Sequence, residues 1–169
     1  ALVSNGADSA AHIFTTARLI GAAAARVTRA QGFAVDETTP MLSVRGLQRD
    51  HLDALIAETG VNVEVAIRNG HRRFILSGTP EDLGVVEQTV LQLGEKDAAE
   101  LAAKTRGGAP LAPATEYLEV TVPFHHTSME PAVAQTVAWA EACGLNTDGA
   151  AEKLARAVLT DHVDWVDQI

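Results

Sequence analysis

The residues best suited to chemistry lie in one phrase, Val120-Thr121-Val122-Pro123-Phe124-His125-His126. Leu118, Val120 and Val122 alternate with Glu119 and Thr121, which predicts a half-buried strand from Tyr117 to Val122. Proline ends that strand and a histidine follows at once. An imidazole at the end of a rigid strand can be held closely enough for proton transfer, so His125 is the candidate acid–base group. His126 is expected to be a spectator beside it. His12, His51, His71 and His162 show no metal-ligand spacing and read as surface residues. The single cysteine, Cys143, stands between Ala142 and Gly144 and reads as a small packing residue.

The elements that must position His125 come from a chain of ordinary globular make-up. Its 169 residues are 47% hydrophobic and 21% charged, enough for one folded domain with a core. The net charge of −9, few aromatics and no run of basic residues argue against a nucleic-acid surface. One cysteine excludes an internal disulfide framework and suits a reducing compartment, the cytoplasm. No apolar run approaches a membrane span, and no signal peptide is visible. Ala1-Leu2-Val3-Ser4-Asn5-Gly6 reads as the tail of a helix already under way, as in a segment of a longer polypeptide.

Period and punctuation then order the elements. A helix is expected from Asp8 to Gln31, with Ile13, Ala17, Ile20, Ala24 and Val27 as its stripe, Ala22 to Ala25 permitting close approach, and Gly32 as stop. A short strand over Met41 to Val44 and a helix from Gln48 to Thr59, closed by Gly60, come next. Val61, Val63, Val65 and Ile67 alternate with polar or small residues and predict a strand. Asn69-Gly70 predicts a tight hairpin turn into a second strand through Phe74, Ile75 and Leu76. Thr79-Pro80-Glu81-Asp82 is a helix start, with a hydroxyl cap, proline in the first turn and early acids. Gly107 to Pro113 is a linker before the strand that leads to His125. Beyond it come helices near Pro131 to Glu141, Gly149 to Leu159 and Asp164 to Gln168. Trp139 and Trp165 are expected to pack. The order strand, helix, strand, strand, helix, strand is that of a ferredoxin-like βαββαβ subdomain.

Six phrases in this order resemble the malonyl/acyl-CoA:acyl-carrier-protein transacylase family. Ala1 to Gly6 looks like the helix after that family's nucleophile elbow. Leu19-Ile20-Gly21 sits where malonyl-handling members carry Leu-Arg-Gly. Met41 to Gly46 resembles the opening strand of the inserted subdomain, and Val65 to Gly78, with Asn69, its hairpin. Val122-Pro123-Phe124-His125 is similar to the Pro-Phe-His-Ser catalytic clause, and Val163-Asp164-Trp165 to a Val-x-Trp phrase near the end. Pro40 to Leu47, Ile67 to Gly70 and Leu76 to Gly78 look most like starter acyltransferase domains of fungal and actinobacterial type I fatty acid synthases.

The resemblance implies an α/β class, α+β for this stretch alone: helices of an α/β-hydrolase-like core at 1–39 and 124–169 flank a ferredoxin-like subdomain at 40–123. It implies Ser–His acyl transfer from acyl-CoA to the phosphopantetheine thiol of an acyl carrier protein, within a multienzyme chain whose parent is a homo-oligomer. No further cofactor and no metal is implied. His125 would be the general base and acid, and Asn69 and Ile20 would line the acyl pocket. With Ile20 in place of an arginine, an uncharged starter acyl group would be preferred over malonyl, whose carboxylate needs a cationic partner. No Gly-x-Ser-x-Gly occurs in the sequence, and the family's oxyanion-hole glutamine is missing. The chain alone is therefore expected to be inactive. The reading that competes with this is a non-catalytic ferredoxin-like binding or regulatory module.

Overall fold

The computed structural model describes residues 7–32, 39–104, 113–145 and 147–166. It is an α+β structure of α1 (Ala7–Gln31), β1 (Met41–Arg45), α2 (Arg49–Thr59), β2 (Val63–Gly70), β3 (Arg73–Gly78), α3 (Pro80–Lys104), β4 (Ala114–Tyr117), α4 (Glu130–Ala142), α5 (Ala150–Leu159) and β5 (Val163–Asp164). The phrase Ala1 to Gly6, nearly all of the expected linker and residues 167–169 lie outside the described residues.

The strands form one sheet in the order β4-β1-β3-β2-β5. The first four are antiparallel neighbours, the ferredoxin-like arrangement read from the sequence, and β5 adds to the free edge of β2 in parallel. One face of the sheet carries Leu42, Val44, Val63, Val65, Phe74 and Leu76 against Leu52 and Leu55 of α2 and Leu83, Val86 and Val90 of α3. The helix signals hold locally. Gly60 closes α2 in the left-handed region at φ 67°. The Thr79 hydroxyl accepts from the Asp82 N–H at 3.0 Å, capping α3 behind Pro80.

The helices α1, α4 and α5 make a second core. Ile20, Ala23 and Ala24 of α1 pack with Ala132 and Val133 of α4 and Ala155 and Leu159 of α5. The alanine run thus does bring α1 close to a neighbour, through Ala23 and Ala24, while Ala17 of the expected stripe is exposed.

Four local expectations give way. The strand expected over Tyr117 to Val122 is displaced: β4 ends at Tyr117, paired with Leu42. Leu118 N–H makes one more bond to the Met41 carbonyl, 3.0 Å, and there β1 itself begins, so no edge remains to pair with. Val120 N–H then donates to Leu118 O and Phe124 N–H to Val122 O, contacts between residues two apart that fold the chain into tight turns. The alternation survives as burial alone, since Leu118, Val120 and Val122 still face inward and Glu119 and Thr121 outward.

The second change is in β2, whose register against β3 skips at Ala66 and again at Asn69. Each skip is a β-bulge, which turns the following residue to the other side. Ile67 therefore packs with Ala66, Met41 and Ile75 on the opposite face of the sheet, not with Val63 and Val65. Third, the hairpin turn is His71-Arg72, because Gly70 pairs with Arg73. Neither turn residue has positive φ, so the primed geometry that Asn-Gly favours is not used. Fourth, Asp164, the expected start of a helix, instead forms β5 with Val163, because the exposed ladder of β2 offers them partners at Ile67 and Arg68.

Leu42 is fully buried on β1, between its partners β3 and β4. Leu42→Ala should destabilise the fold by about 2–5 kcal/mol through the cavity it leaves, read as a lowered urea midpoint with an unchanged slope.

Candidate active site

His125 follows Phe124, and Phe124 is the side chain shared by two apolar clusters. It packs on the helical core of α1, α4 and α5 and on the outer sheet face of Met41, Ala66 and Ile75. Anchored there, the chain turns sharply and His125 takes a left-handed backbone, φ 57°. Such a conformation costs a residue with a Cβ about 1–3 kcal/mol and marks positions that the surrounding structure over-determines.

The half-buried His125 ring points its Nδ1 at the Asp161 carbonyl, 2.7 Å away. A carbonyl only accepts, so Nδ1 carries the proton and the neutral ring keeps its lone pair on Nε2. Burial pushes the His125 pKa below its ordinary value; the Asp161 carbonyl offsets part of this and His162 adds to it. The outcome is a neutral imidazole with a defined tautomer and a free basic nitrogen.

His126 is built the other way. It is 1% exposed, its N–H donates to the Leu159 carbonyl at 3.0 Å, and its ring caps the 3-10 turn Thr127–Met129. Nδ1 accepts from the Ser128 N–H at 3.1 Å and lies 2.8 Å from the Ser128 hydroxyl. The proton of the neutral ring therefore sits on Nε2, which faces Glu64 Oε1 at 3.7 Å. Burial pushes this pKa down too, with Glu64 and the Asn62 carbonyl pulling back. Two adjacent histidines thus hold opposite tautomers, one with its lone pair on Nε2, the other with its lone pair spent on a cap.

Glu64 of β2 was legible only as an outward residue of an alternating strand. Its carboxylate accepts from the Thr127 N–H, 3.2 Å to each oxygen, from the Thr127 hydroxyl, and from His162 Nε2 at 2.8 Å. Burial pushes the Glu64 carboxyl up, but the Thr127 and His162 hydrogen bonds, with His126 nearby, outweigh it and hold it below its ordinary range. No sequence motif marks this cluster, because its members lie 63 and 98 residues apart.

The other expected site residues lie elsewhere. Ile20 is 5% exposed inside the helical core, in the cluster that Phe124 joins. Asn69 is exposed at the second bulge of β2 and, with Ser43, Arg45, Arg73 and Trp165, lines a groove of about 500 Å³. Three grooves near β1 and the β2–β3 hairpin are lined by neither His125 nor Ile20. Trp165, expected to pack, is 53% exposed at this groove, whereas Trp139 packs on the helical core. A neighbouring groove collects Arg45, His71, Arg72 and Arg73. Arg45, Arg72 and Arg73 have no acidic partner among the described residues. A basic patch that the linear sequence does not show is thus assembled by the β2–β3 hairpin beside β1. Among the described residues no group of side chains could hold a metal ion, and no helix is long and apolar enough to cross a membrane.

Residues 40–117, just under half the chain, match the family model described as the fatty acid synthase central AT domain. The fold is similar to that of malonyl CoA-acyl carrier protein transacylase from Clostridium perfringens, with TM-score 0.60 and 16% identity over 88% of this chain and 45% of that one. It is similar to the malonyl-transacylase solved in complex with its type II polyketide acyl-carrier protein, with TM-score 0.56 and 18% identity over 95% and 49%. It is also similar to the acyltransferase domain of an iterative polyketide synthase of enediyne biosynthesis, with TM-score 0.51 and 24% identity over 78% and 28%. The chain spans about half or less of the length of these solved relatives. No curated protein matches it.

The site makes stability pH-dependent with a definite sign. Both histidines have folded pKa values below the ordinary 6.5, so the unfolded chain takes up protons first. Stability is full above that value and falls as pH drops below it through the folded values. The Glu64 contribution is present above 4.5 and lost as pH falls through its lowered folded value. The urea midpoint should therefore stay level from about pH 8 to 7 and decline toward about pH 5. His126→Asn, which keeps a side-chain acceptor for the Ser128 N–H, should flatten the decline.

Proposed function

We propose that this chain supplies the acid–base half of an acyltransferase site in fatty acid synthesis, passing an uncharged starter acyl group from coenzyme A to an acyl carrier protein. The observation that carries the reading is the His125 ring: Nδ1–H held on the Asp161 carbonyl, Nε2 without a partner among the described residues, strained backbone. The match of residues 40–117 and the shared transacylase fold support it.

The nucleophile is a serine supplied from outside these 169 residues, since none of them forms a Gly-x-Ser-x-Gly elbow. His125 Nε2 takes the hydroxyl proton as the serine oxygen attacks the thioester carbonyl. Nε2–H then returns that proton to the departing coenzyme A sulfur, leaving an acyl-serine ester. In the second half, Nε2 takes the proton of the carrier protein's phosphopantetheine thiol as its sulfur attacks the ester. The serine leaves reprotonated and the imidazole is restored. Through both halves the Asp161 carbonyl steadies the imidazolium that forms transiently.

Both substrates are anionic, and the basic groove offers them a landing place. Asp161, which holds His125, and Trp165, which lines the groove next to the basic one, are four residues apart in sequence, so their Cα atoms lie at most about 14 Å apart. Arg45, Arg72 and Arg73, without an acidic partner among the described residues, suit the phosphates of coenzyme A and the acidic surface of a carrier protein. Such a protein works in the cytoplasm, alongside the other activities of a multienzyme, in a homo-oligomeric parent. Ile20, buried in the cluster on which Phe124 packs, offers no cation there, which disfavours a buried malonyl carboxylate.

In the full-length protein, His125→Ala should lower acyl transfer by about 10²–10⁴-fold, whereas His126→Asn should cost far less. A His125→Ala protein within a few-fold of wild type would overturn the assignment. In competitive loading with equal acetyl-CoA and malonyl-CoA, the acetyl group should predominate on the carrier protein. Equal malonyl loading would contradict the starter preference.

A further inference from the structure

We infer that Glu64 is a positioning residue for His125, clamping from the sheet both chain segments that hold the imidazole. The two segments are distinct. One is the turn that begins at His125 and continues through His126 and Thr127. The other is the connection between α5 and β5, whose Asp161 carbonyl holds Nδ1. One backbone bond, from the His126 N–H to the Leu159 carbonyl at 3.0 Å, joins the first to the end of α5; it lies to one side of the contact, and the left-handed backbone of His125 tends to relax.

Glu64 reaches both segments at once. On the first it receives the Thr127 N–H, at 3.2 Å to each oxygen, and the Thr127 hydroxyl, two residues past His125. On the second it receives His162 Nε2 at 2.8 Å, one residue past Asp161. His126 Nε2, buried, faces the same carboxylate at 3.7 Å. One carboxylate, beside the His126–Leu159 backbone bond, therefore fixes the separation of donor and acceptor in the His125–Asp161 contact without touching His125.

The position is dispensable for the sheet itself. Glu64 pairs through its backbone with Ser77, and its side chain stays 18% exposed, outside the apolar core. Neutralising it should slacken the clamp and leave the fold in place. A carboxylate is the fitting group for the task, because it has two oxygens, accepts several donors together and strengthens each bond by its charge.

The test compares Glu64→Gln and Thr127→Val with wild type in the full-length protein, by two readouts. The first is the rate at which diethyl pyrocarbonate modifies His125, located by fragmentation of the peptide, which needs no catalytic activity. Glu64→Gln should raise that rate several-fold as the ring leaves the Asp161 carbonyl, and Thr127→Val should raise it less. The second is acetyl transfer, where kcat should fall by about 10–100-fold, the cost of a misplaced catalytic group, with KM for acetyl-CoA within about twofold. A purely structural role would lower the melting temperature and the active fraction and leave the reactivity of His125 in the folded molecules unchanged. His125 reactivity within twofold of wild type in both variants overturns the inference. The kinetic arm rests on the acyl-transfer reading. If wild type transfers no acyl group, that reading falls, and the reactivity arm decides the role of Glu64 alone. Should Glu64→Gln fail to fold, Thr127→Val carries the same comparison.

Discussion

Phe124 is the side chain on which the arrangement turns. An antiparallel sheet with helices on one face can leave its other face to water, but here that face carries a small apolar patch: Met41, Ala66 and Ile75, with Ile67 beside them. The three-helix layer of α1, α4 and α5 has its own core. Phe124 belongs to both, so the two layers cannot separate or slide without exposing an aromatic ring. Since His125 follows it directly, the constraint that joins the layers also decides where an imidazole can stand.

On that apolar footing rests a small polar layer with strict hydrogen-bond logic. The Asp161 carbonyl accepts only, so it dictates one tautomer. The Ser128 N–H donates only, so it dictates the other. The chemical difference between His125 and His126 thus comes from what each ring is given to bond with. Glu64 lies across the layer as its common acceptor, and the strained backbone at His125 persists because so many neighbours must move together to relieve it.

Irregularity in β2 does as much as regularity. The bulge at Ala66 transfers Ile67 from the helix-covered face to the Phe124 face, and without it the outer patch would lose a member. The bulge at Asn69 and the His71-Arg72 turn aim the hairpin so that Arg72 and Arg73 meet Arg45 of β1 in one groove. A chain of net charge −9 thereby presents a local basic surface.

Much of the scaffold was determined by the sequence alone, because its signals are local. Thr79 before Pro80, Gly60 after α2, the period of the helices and the valine alternation each act within a turn or two of chain, so the ferredoxin-like order and its helices could be read directly. The prominence of His125 came from its phrase, although the strand drawn beneath it stops at Tyr117. What the sequence could not determine depends on partners distant along the chain. An alternating run is a strand only if an edge remains to pair with it, which residues 118–122 lack and Val163-Asp164 finds. Glu64 becomes the centre of the site only when β2 lies beside residues 63 and 98 positions away. The basic groove exists only once a bulged hairpin folds back on β1. Local propensity chose the elements; burial, edge pairing and hydrogen-bond satisfaction, which act across the whole chain, decided what they hold.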